Sequence, residues 1–432
     1  MALLAFATGS PTPSMLLGAV LFGSAAYLVS VVLRIGSHLP EPVAHLRQLS
    51  TAGLYPERIY TEWAKTYGPV YTVMKGSQPW VVVTGASEAH EIFHKQGQAT
   101  AGRPSSRMEL AMRHGYWPQF MHGAKWRVAR TLWHAVLSVG ASRQYRPLQE
   151  LEAKQLLADR YAASLAMTLM NGQRVTASRD PVADEIIADL AECMAHCNAT
   201  AGLDKLPGFW SLPEWAVPAR RTAGRVSEHE AAEVGELLTT AATETTASTL
   251  KNWVAAMITH PDVQRRAQAE IDRVVGPDRL PADTDAASLP YVRQVIQETH
   301  RWLTAVPLGL VHATTAPLAW RGHVIPAGTP LVLNAYGIHR DAALFASPRA
   351  FDPDRWAGRL EAAGTLADDR VGARSEALLE NFEAKVRPRS AERARLVEEL
   401  WERDGREFLD EKGQWCKSPQ GVESVMKKAV GV

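Results

Sequence analysis

The sequence predicts a mainly α-helical fold with a minor β part, and three observations lead to that prediction. Long Ala- and Leu-rich stretches with a helical pattern fill most of residues 122–201 and 228–302. Short runs of β-branched and aromatic residues, bounded by turn residues, lie on either side at 70–84 and 318–334. A stretch of 19 uncharged residues at 15–33 adds a segment of a different kind.

The composition is that of an ordinary globular protein with a sizeable core. Hydrophobic residues make up 46% of the chain and charged residues 22%. The net charge of +1 supplies no basic field, so we expect no nucleic-acid partner. Three cysteines are too few for a disulfide framework, which indicates a reducing compartment.

The uncharged stretch at 15–33 predicts an N-terminal transmembrane helix. At about 1.5 Å per residue its length matches the hydrocarbon core of a bilayer. The first basic residues, Arg34 and Arg47, follow the stretch, so the bulk of the chain is expected on the cytosolic side. A buried core helix or a cleaved signal peptide is the alternative, but no basic residue precedes Met15. We predict a single-pass anchor over residues 1–34.

Turn and cap residues set the bounds of the other elements. The residues Lys75-Gly76-Ser77-Gln78 between two apolar runs predict a hairpin, and Ser87 predicts a helix cap. Proline ends a helix but suits the first helical position, so Pro261 and Pro290 each begin one. The predicted elements are strands at 70–74 and 80–84, helices over 228–260, from 261 to near 276 and over 290–302, and strands at 318–320, 323–325 and 330–334.

Trp126 and Arg130 lie four residues apart in the sequence Trp-Arg-Val-Ala-Arg. Residues at this spacing share a helix face, so both side chains can donate hydrogen bonds to one anionic group. Arginine suits a carboxylate best. The alternative is an ordinary amphipathic helix with a packed tryptophan.

Residues 241–246 read Ala-Ala-Thr-Glu-Thr-Thr inside the long helix. Threonine is a mediocre helix former whose hydroxyl can bond to the preceding turn, so we expect a local break here. Such a break would direct the carboxyl of Glu244 and the hydroxyl of Thr245 into a pocket. The alternative is a helix–helix contact lined by threonines.

Two further motifs follow towards the C-terminus. Glu298 and Arg301 are spaced to pair on a helix, and His312 lies shortly after them. Residues 351–356 read Phe-Asp-Pro-Asp-Arg-Trp and include Arg355. Taken alone, the Glu298–Arg301 spacing is that of a common surface ion pair. Taken alone, residues 351–356 would form a proline turn with a solvated arginine.

In their order and separation, these four motifs resemble the cytochrome P-450 family over residues 67–356, and most closely its fungal multi-step oxidases. The resemblance implies the cytochrome P-450 fold over residues 35–372 and haem b as the cofactor. It also implies a monooxygenase that oxidises a small lipophilic substrate with electrons from an NADPH-dependent flavoprotein reductase. The expected location is the endoplasmic reticulum membrane.

The resemblance assigns a role to each matching residue. Ala242 stands where the family has glycine beside its oxygen site. The implied roles are haem propionate binding for Trp126, Arg130 and His312, proton delivery for Glu244 and Thr245, and a buried structural ion network for Glu298, Arg301 and Arg355.

The family's haem ligand is a cysteine in a Phe-x-x-Gly-x-Arg-x-Cys-x-Gly loop, and this sequence does not match that loop. Cys193 and Cys197 both precede the long helix and are read as core residues. Cys416 follows Arg355 but lacks the surrounding glycines and arginine, so it is only a weak candidate. No metal ligand is identified, haem binding is therefore doubtful, and we expect this chain to be inactive.

The sequence after residue 373 has the pattern of an atypical charged helical tail. We therefore treat the catalytic domain as truncated. The hypothesis is that a frameshift or a misplaced splice site replaced the original end after about Glu376. The alternative function is a non-catalytic, membrane-anchored scaffold or binding protein that keeps the fold without iron.

Overall fold

The computed structural model describes residues 55–75, 78–104, 123–144, 146–154, 175, 233–358 and 389–417. Helices dominate these ranges and short strands form the minor part, as the sequence predicts. The helices are α1 Pro56–Tyr67, α2 Ala86–Ala89, α3 Gly123–Leu137, α4 Val139–Gln144, α5 Arg146–Lys154, α6 Glu233–Thr259, α7 Pro261–Val275, α8 Pro290–Trp302, α9 Ala335–His339 and α10 Ala391–Phe408. A π-helical turn spans His90–Lys95, and 3₁₀ turns span Asp283–Ser288 and Pro353–Trp356.

A four-stranded sheet and a separate hairpin make up the β part. The strands are β1 Val70–Lys75, β2 Gln78–Val83, β3 His312–Ala313, β4 Leu318–Trp320, β5 His323–Ile325 and β6 Pro330–Leu333. The sheet has the order β1-β2-β6-β3, and β4 pairs with β5. The predicted β1–β2 hairpin is confirmed. β6 joins β2 in parallel, with Val81 opposite Leu331, so the two β regions form one sheet.

Prolines begin three of the helices. Pro56, Pro261 and Pro290 occupy the first turns of α1, α7 and α8, where the missing N–H would have no helical partner in any case. Helix α6 ends at Thr259, directly before the second of these prolines. The predicted starts of α7 and α8 are therefore confirmed.

Two local predictions were wrong. The cap of α2 is Gly85, whose carbonyl accepts a hydrogen bond from Ala89, and Ser87 lies inside the first turn. Helix α6 runs without a break from Glu233 to Thr259. The hydroxyl of Thr249 donates to the carbonyl of Thr245 at 2.9 Å, so it bonds back to the preceding turn while the helix continues.

Helix α10 packs against the rest of the fold through ion pairs. Lys154 on α5 pairs with Asp404, and both side chains are only 12% exposed. Arg389 and Arg393 both pair with Asp272 on α7 at 2.7 Å. Many charged side chains of α10 remain exposed, as the sequence predicts, but these pairs attach the helix to α5 and α7.

Within the described ranges, no helix is both long and apolar enough to cross a membrane. The predicted anchor at 1–34 lies outside those ranges, so it stays a prediction. The same holds for Cys193, Cys197 and the start of the tail at 373–388.

Candidate functional site

Glu298 and Arg301 form the centre of a buried ion network. They lie one turn apart on α8, and their side chains are 0% and 1% exposed. Nε of Arg301 donates to Oε2 of Glu298 at 2.8 Å, and Nη2 donates to Oε1 at 2.7 Å. A bidentate pair of this kind is the strongest geometry available to these two side chains.

Arg355 joins the network from the 3₁₀ turn that ends the described catalytic region. Its Nε donates to Oε1 of Glu298 at 3.0 Å. The indole of Trp356 donates to Oε2 at 3.0 Å, and the backbone N–H of Asp352 donates to Oε1 at 2.8 Å. The carboxylate of Glu298 therefore accepts five hydrogen bonds in all. Sequence reasoning quoted Trp356 as part of a motif but gave it no role.

The remaining donors of Arg301 bind backbone carbonyls. Nη1 donates to His339 at 2.9 Å and to Pro348 at 2.7 Å, and Nη2 donates to Ala350 at 2.9 Å. All five N–H groups of this guanidinium thus have an acceptor. The network joins α8, α9 and the loop leading to Arg355.

His312 lies on β3 at the edge of the sheet. Its Nδ1 donates to the carbonyl of Thr100 at 2.8 Å, because a carbonyl can only accept. The ring of Phe93 contacts it edge-on, with centroids 5.7 Å apart. Burial lowers the pKa of His312 to about 4; the charge of Arg103 adds to this shift and the bond to Thr100 opposes it.

Arg103 places a positive charge beside the neutral imidazole of His312, and the sequence did not predict this residue. Its Nη1 donates to the carbonyl of Val311 at 3.0 Å, and burial lowers its pKa to about 10. Gly102 pairs with Ala313, and a Cβ on Gly102 would lie 2.7 Å from the carbonyl oxygen of Ala313. The sequence offers one signal for this residue, the pair Gly102-Arg103 after a helix. No local spacing links Arg103 to His312, some 200 residues later.

The donor set at His312 and Arg103 fits a carboxylate. Within the described ranges the partly buried guanidinium of Arg103 donates to one carbonyl, which leaves N–H groups for an anion, and arginine binds carboxylates through paired N–H donors. The free Nε2 of His312 adds a donor when it is protonated. These residues therefore fit a propionate of haem.

The other predicted site residues lie on two helices. Trp126 and Arg130 are on α3, where Trp126 is half-buried and Arg130 is exposed. Arg130 makes no hydrogen bond or ion pair with the described part of the chain. Thr245 is half-buried on α6, and the side chain of Glu244 lies outside what the structure describes. Among these predicted residues, the structure shows direct bonds that bring Glu298, Arg301 and Arg355 together.

The axial thiolate of the family has no match among the described residues. Cys416, the one cysteine in the described ranges, is exposed. It follows α10 in a turn closed by the bridge between Leu409 and Trp415. Residues 359–388, where the family's loop is expected, lie outside the described ranges.

Comparison with known proteins agrees with this geometry. The family model described as Cytochrome P-450 matches residues 41–170 and 219–364. The cytochrome P-450 monooxygenase alnH of Emericella nidulans is 37% identical over 481 aligned positions, covering 87% of this chain and 88% of that protein. The monooxygenase virE of Hypocrea virens is 31% identical and covers 69% of this chain and 65% of its own length. Because 481 positions exceed the 432 residues of this chain, the first alignment contains segments that this chain lacks.

Solved structures support the fold. A zebrafish cytochrome P-450 structure with progesterone aligns with a TM-score of 0.55 at 21% identity, over 70% of this chain and 84% of the other. At that identity the likeness shows the fold alone. The family match, the fungal relatives and the shared fold lead to one conclusion: the chain belongs to the cytochrome P-450 family of haem-dependent monooxygenases.

Proposed function

We propose that this chain descends from a monooxygenase that oxidises a small lipophilic substrate. Its electrons would come from an NADPH-dependent flavoprotein reductase. The expected location is the endoplasmic reticulum membrane, with residues 1–34 as a single-pass anchor and the bulk in the cytosol. The observation that carries the proposal is the position of Arg103 beside His312, a donor set that suits a carboxylate in a chain whose family binds haem.

The proposed roles follow from where the residues lie. His312 and Arg103 bind one propionate, and Trp126 and Arg130 contribute from α3. Bound haem supplies the oxidising chemistry of the family.

In the active ancestor, Glu244 and Thr245 would hold and pass a proton at their carboxyl and hydroxyl groups. Glu298, Arg301 and Arg355 have a structural role.

We further propose that the chain does not form thiolate-ligated haem. Electron donation from a thiolate is what favours O–O cleavage in this family. Cys416 is exposed and lacks the glycine-bounded loop that would donate backbone N–H groups to its sulfur. The chain would then bind haem through its propionates and be inactive as a monooxygenase.

Spectroscopy of the purified full chain tests both parts. Haem titration followed by absorbance should show binding that His312→Ala and Arg103→Ala each weaken, while Cys416→Ser leaves it unchanged. The carbon monoxide difference spectrum of the reduced protein should lack the Soret band of thiolate-ligated haem. A thiolate band would overturn the inactivity, and equal haem affinity of all variants would overturn the propionate site.

A non-catalytic scaffold is the second candidate, because the one described cysteine is exposed and lacks the family's ligand loop. Iron analysis of the purified protein separates the two, since a scaffold contains essentially none. Sequencing the 3′ end of the transcript tests the origin of the tail. An intact transcript that encodes the present residues 377–432 would contradict the frameshift hypothesis.

A further inference from the structure

A basic groove lies between α1 and the segment that follows β6. Its cavity has a volume of about 390 Å³, and its lining includes neither His312 nor Arg103. The residues that line this groove are Arg58, Thr61, Glu62, Lys65, Tyr336, Arg340, Pro348 and Arg349. Four of them are cations and one is an acid, although the whole chain has a net charge of only +1.

The single acid does not balance these cations. Glu62 already pairs with Lys65, whose Nζ lies 2.7 Å from the carboxylate. Arg58, Arg340 and Arg349 make no ion pair with any carboxylate in the described ranges. Burial raises the pKa of Glu57, the acid next to Arg58, which disfavours its charged form and makes it a weak counter-charge. Three guanidinium charges are thus left facing one cavity.

Two of these guanidinium groups stack on the faces of aromatic rings. Arg58 lies over the ring of Tyr55 at 4.2 Å, and Arg340 lies over Tyr336 at 4.9 Å. Stacking covers the face of a guanidinium and leaves its N–H edge available for hydrogen bonds. Arg340 also donates from Nη2 to the carbonyl of Trp302 at 2.8 Å, which fixes its position.

The wall of the groove is joined to the buried ion network. The carbonyl of Pro348 accepts from Arg301 at 2.7 Å, and the carbonyl of Arg349 accepts from the indole of Trp302 at 2.9 Å. Burial lowers the pKa of Arg340, and the charges of Arg301, Arg349 and Arg58 lower it further although Tyr336 opposes them. These cations repel one another across the groove, so an anion placed among them would relieve that repulsion.

We propose that this groove binds a phosphate group through Arg58, Arg340 and Arg349. Guanidinium edges match the oxygen spacing of phosphate, and a doubly charged anion balances most of the uncompensated charge. Arg340 is held in place by its bond to Trp302, which limits the ordering cost of binding for that residue. The phosphate comes either from a lipid headgroup or from a soluble phosphate compound. The site needs no haem and is independent of the function proposed above.

Calorimetric titration of the full chain in non-ionic detergent tests the site. The probes are inorganic phosphate and dioctanoyl phosphatidylinositol phosphate, a short-chain lipid with a phosphorylated headgroup. The test variant combines Arg58→Gln with Arg349→Gln, because both side chains are exposed and have no carboxylate partner in the described ranges. We expect its affinity to fall by roughly tenfold or more, as two charge-assisted hydrogen bonds are lost.

The matched control combines Arg265→Gln with Arg293→Gln. These arginines are also exposed, lie on α7 and α8, and make no ion pair within the described ranges. The control removes the same charge and should bind like the wild type, and both double variants should unfold at the wild-type urea midpoint.

Tighter binding of the lipid than of inorganic phosphate assigns the site to a headgroup, and equal binding assigns it to soluble phosphate. Absence of saturable binding by either probe, or equal loss in test and control variants, overturns the proposal.

Discussion

Arg301 donates hydrogen bonds to both carboxylate oxygens of Glu298, one turn earlier on the same helix, at 2.8 and 2.7 Å. Neither side chain reaches solvent, so each charge depends on the other. Removing one partner leaves an uncompensated charge in the interior, which destabilises the fold more than removing both partners together.

Glu298→Gln should therefore lower the free energy of unfolding by about 3–5 kcal/mol. The amide keeps the shape of the side chain but leaves the buried guanidinium groups of Arg301 and Arg355 without a counter-charge. Urea unfolding followed by circular dichroism measures the loss. The control is Arg406→Gln, which breaks an exposed pair with Glu402 and should change stability far less. Equal effects of the two substitutions would contradict the buried role.

Gly102→Ala should destabilise the protein by about 1–3 kcal/mol and weaken haem binding. The new Cβ would meet the backbone oxygen of Ala313 at 2.7 Å, next to His312, and a backbone atom cannot move aside easily. Gly405→Ala is the matched control, since a Cβ on α10 there has no neighbour within 4 Å. It should stabilise the helix by about 0.5–1 kcal/mol. A stable Gly102→Ala protein with unchanged haem affinity would refute this account.

Acid should destabilise the fold between about pH 6.5 and pH 4. Burial lowers the pKa of His339 to about 4, with Arg301 and Arg340 adding to the shift, and burial does the same for His312. As pH falls below 6.5, the unfolded chain binds protons that the folded chain does not, so stability that is present above 6.5 is lost.

We expect a lower urea midpoint at pH 5 than at pH 7, with about 1–2 kcal/mol lost for each histidine. His339→Gln removes one of the two groups, so its loss over the same interval should be smaller. His339 shares a hydrogen bond with the hydroxyl of Thr304 at 2.6 Å, and the amide of the substituted glutamine can retain it. A urea midpoint that does not change from pH 7 to pH 5 would contradict the lowered pKa values of the two histidines.

Asp404→Asn should loosen α10 without unfolding the rest of the chain. The aspartate pairs with Lys154 and with Arg403, and it is the one buried residue of this helix. Hydrogen exchange of residues 391–408 should speed up, whereas exchange in α8 should stay as in the wild type. Glu402→Gln, on the exposed face of the same helix, is the control and should leave both rates unchanged. Faster exchange throughout the protein would mean that α10 is part of the global unfolding unit.

Local chemistry accounts for what the sequence could predict. Pro261 and Pro290 begin their helices where proline geometry requires, and Arg321-Gly322 turns between β4 and β5 with both residues at positive φ. The spacing of Glu298 and Arg301 needs only one helical turn to become a contact. These predictions depend on residues close in the chain.

Contacts between distant segments could not be predicted. Arg103 and His312 come together only because Gly102 bridges to Ala313, and no periodicity encodes that bridge. The five donors to Glu298 include a backbone N–H from Asp352 and the indole of Trp356, whose directions depend on the 3₁₀ turn. The expected break in α6 did not occur because a helix accommodates a threonine that bonds to the preceding turn.

The parallel pairing of β2 with β6 has a consequence for biosynthesis. Val81 cannot meet Leu331 until the ribosome has added about 250 further residues, which takes on the order of 10–50 s at typical elongation rates. During that interval the Val-rich edge of the hairpin is open to incorrect partners. The nascent protein therefore has a long period of exposure to aggregation, and chaperone supply during expression should influence its yield more than the stability of the finished fold does.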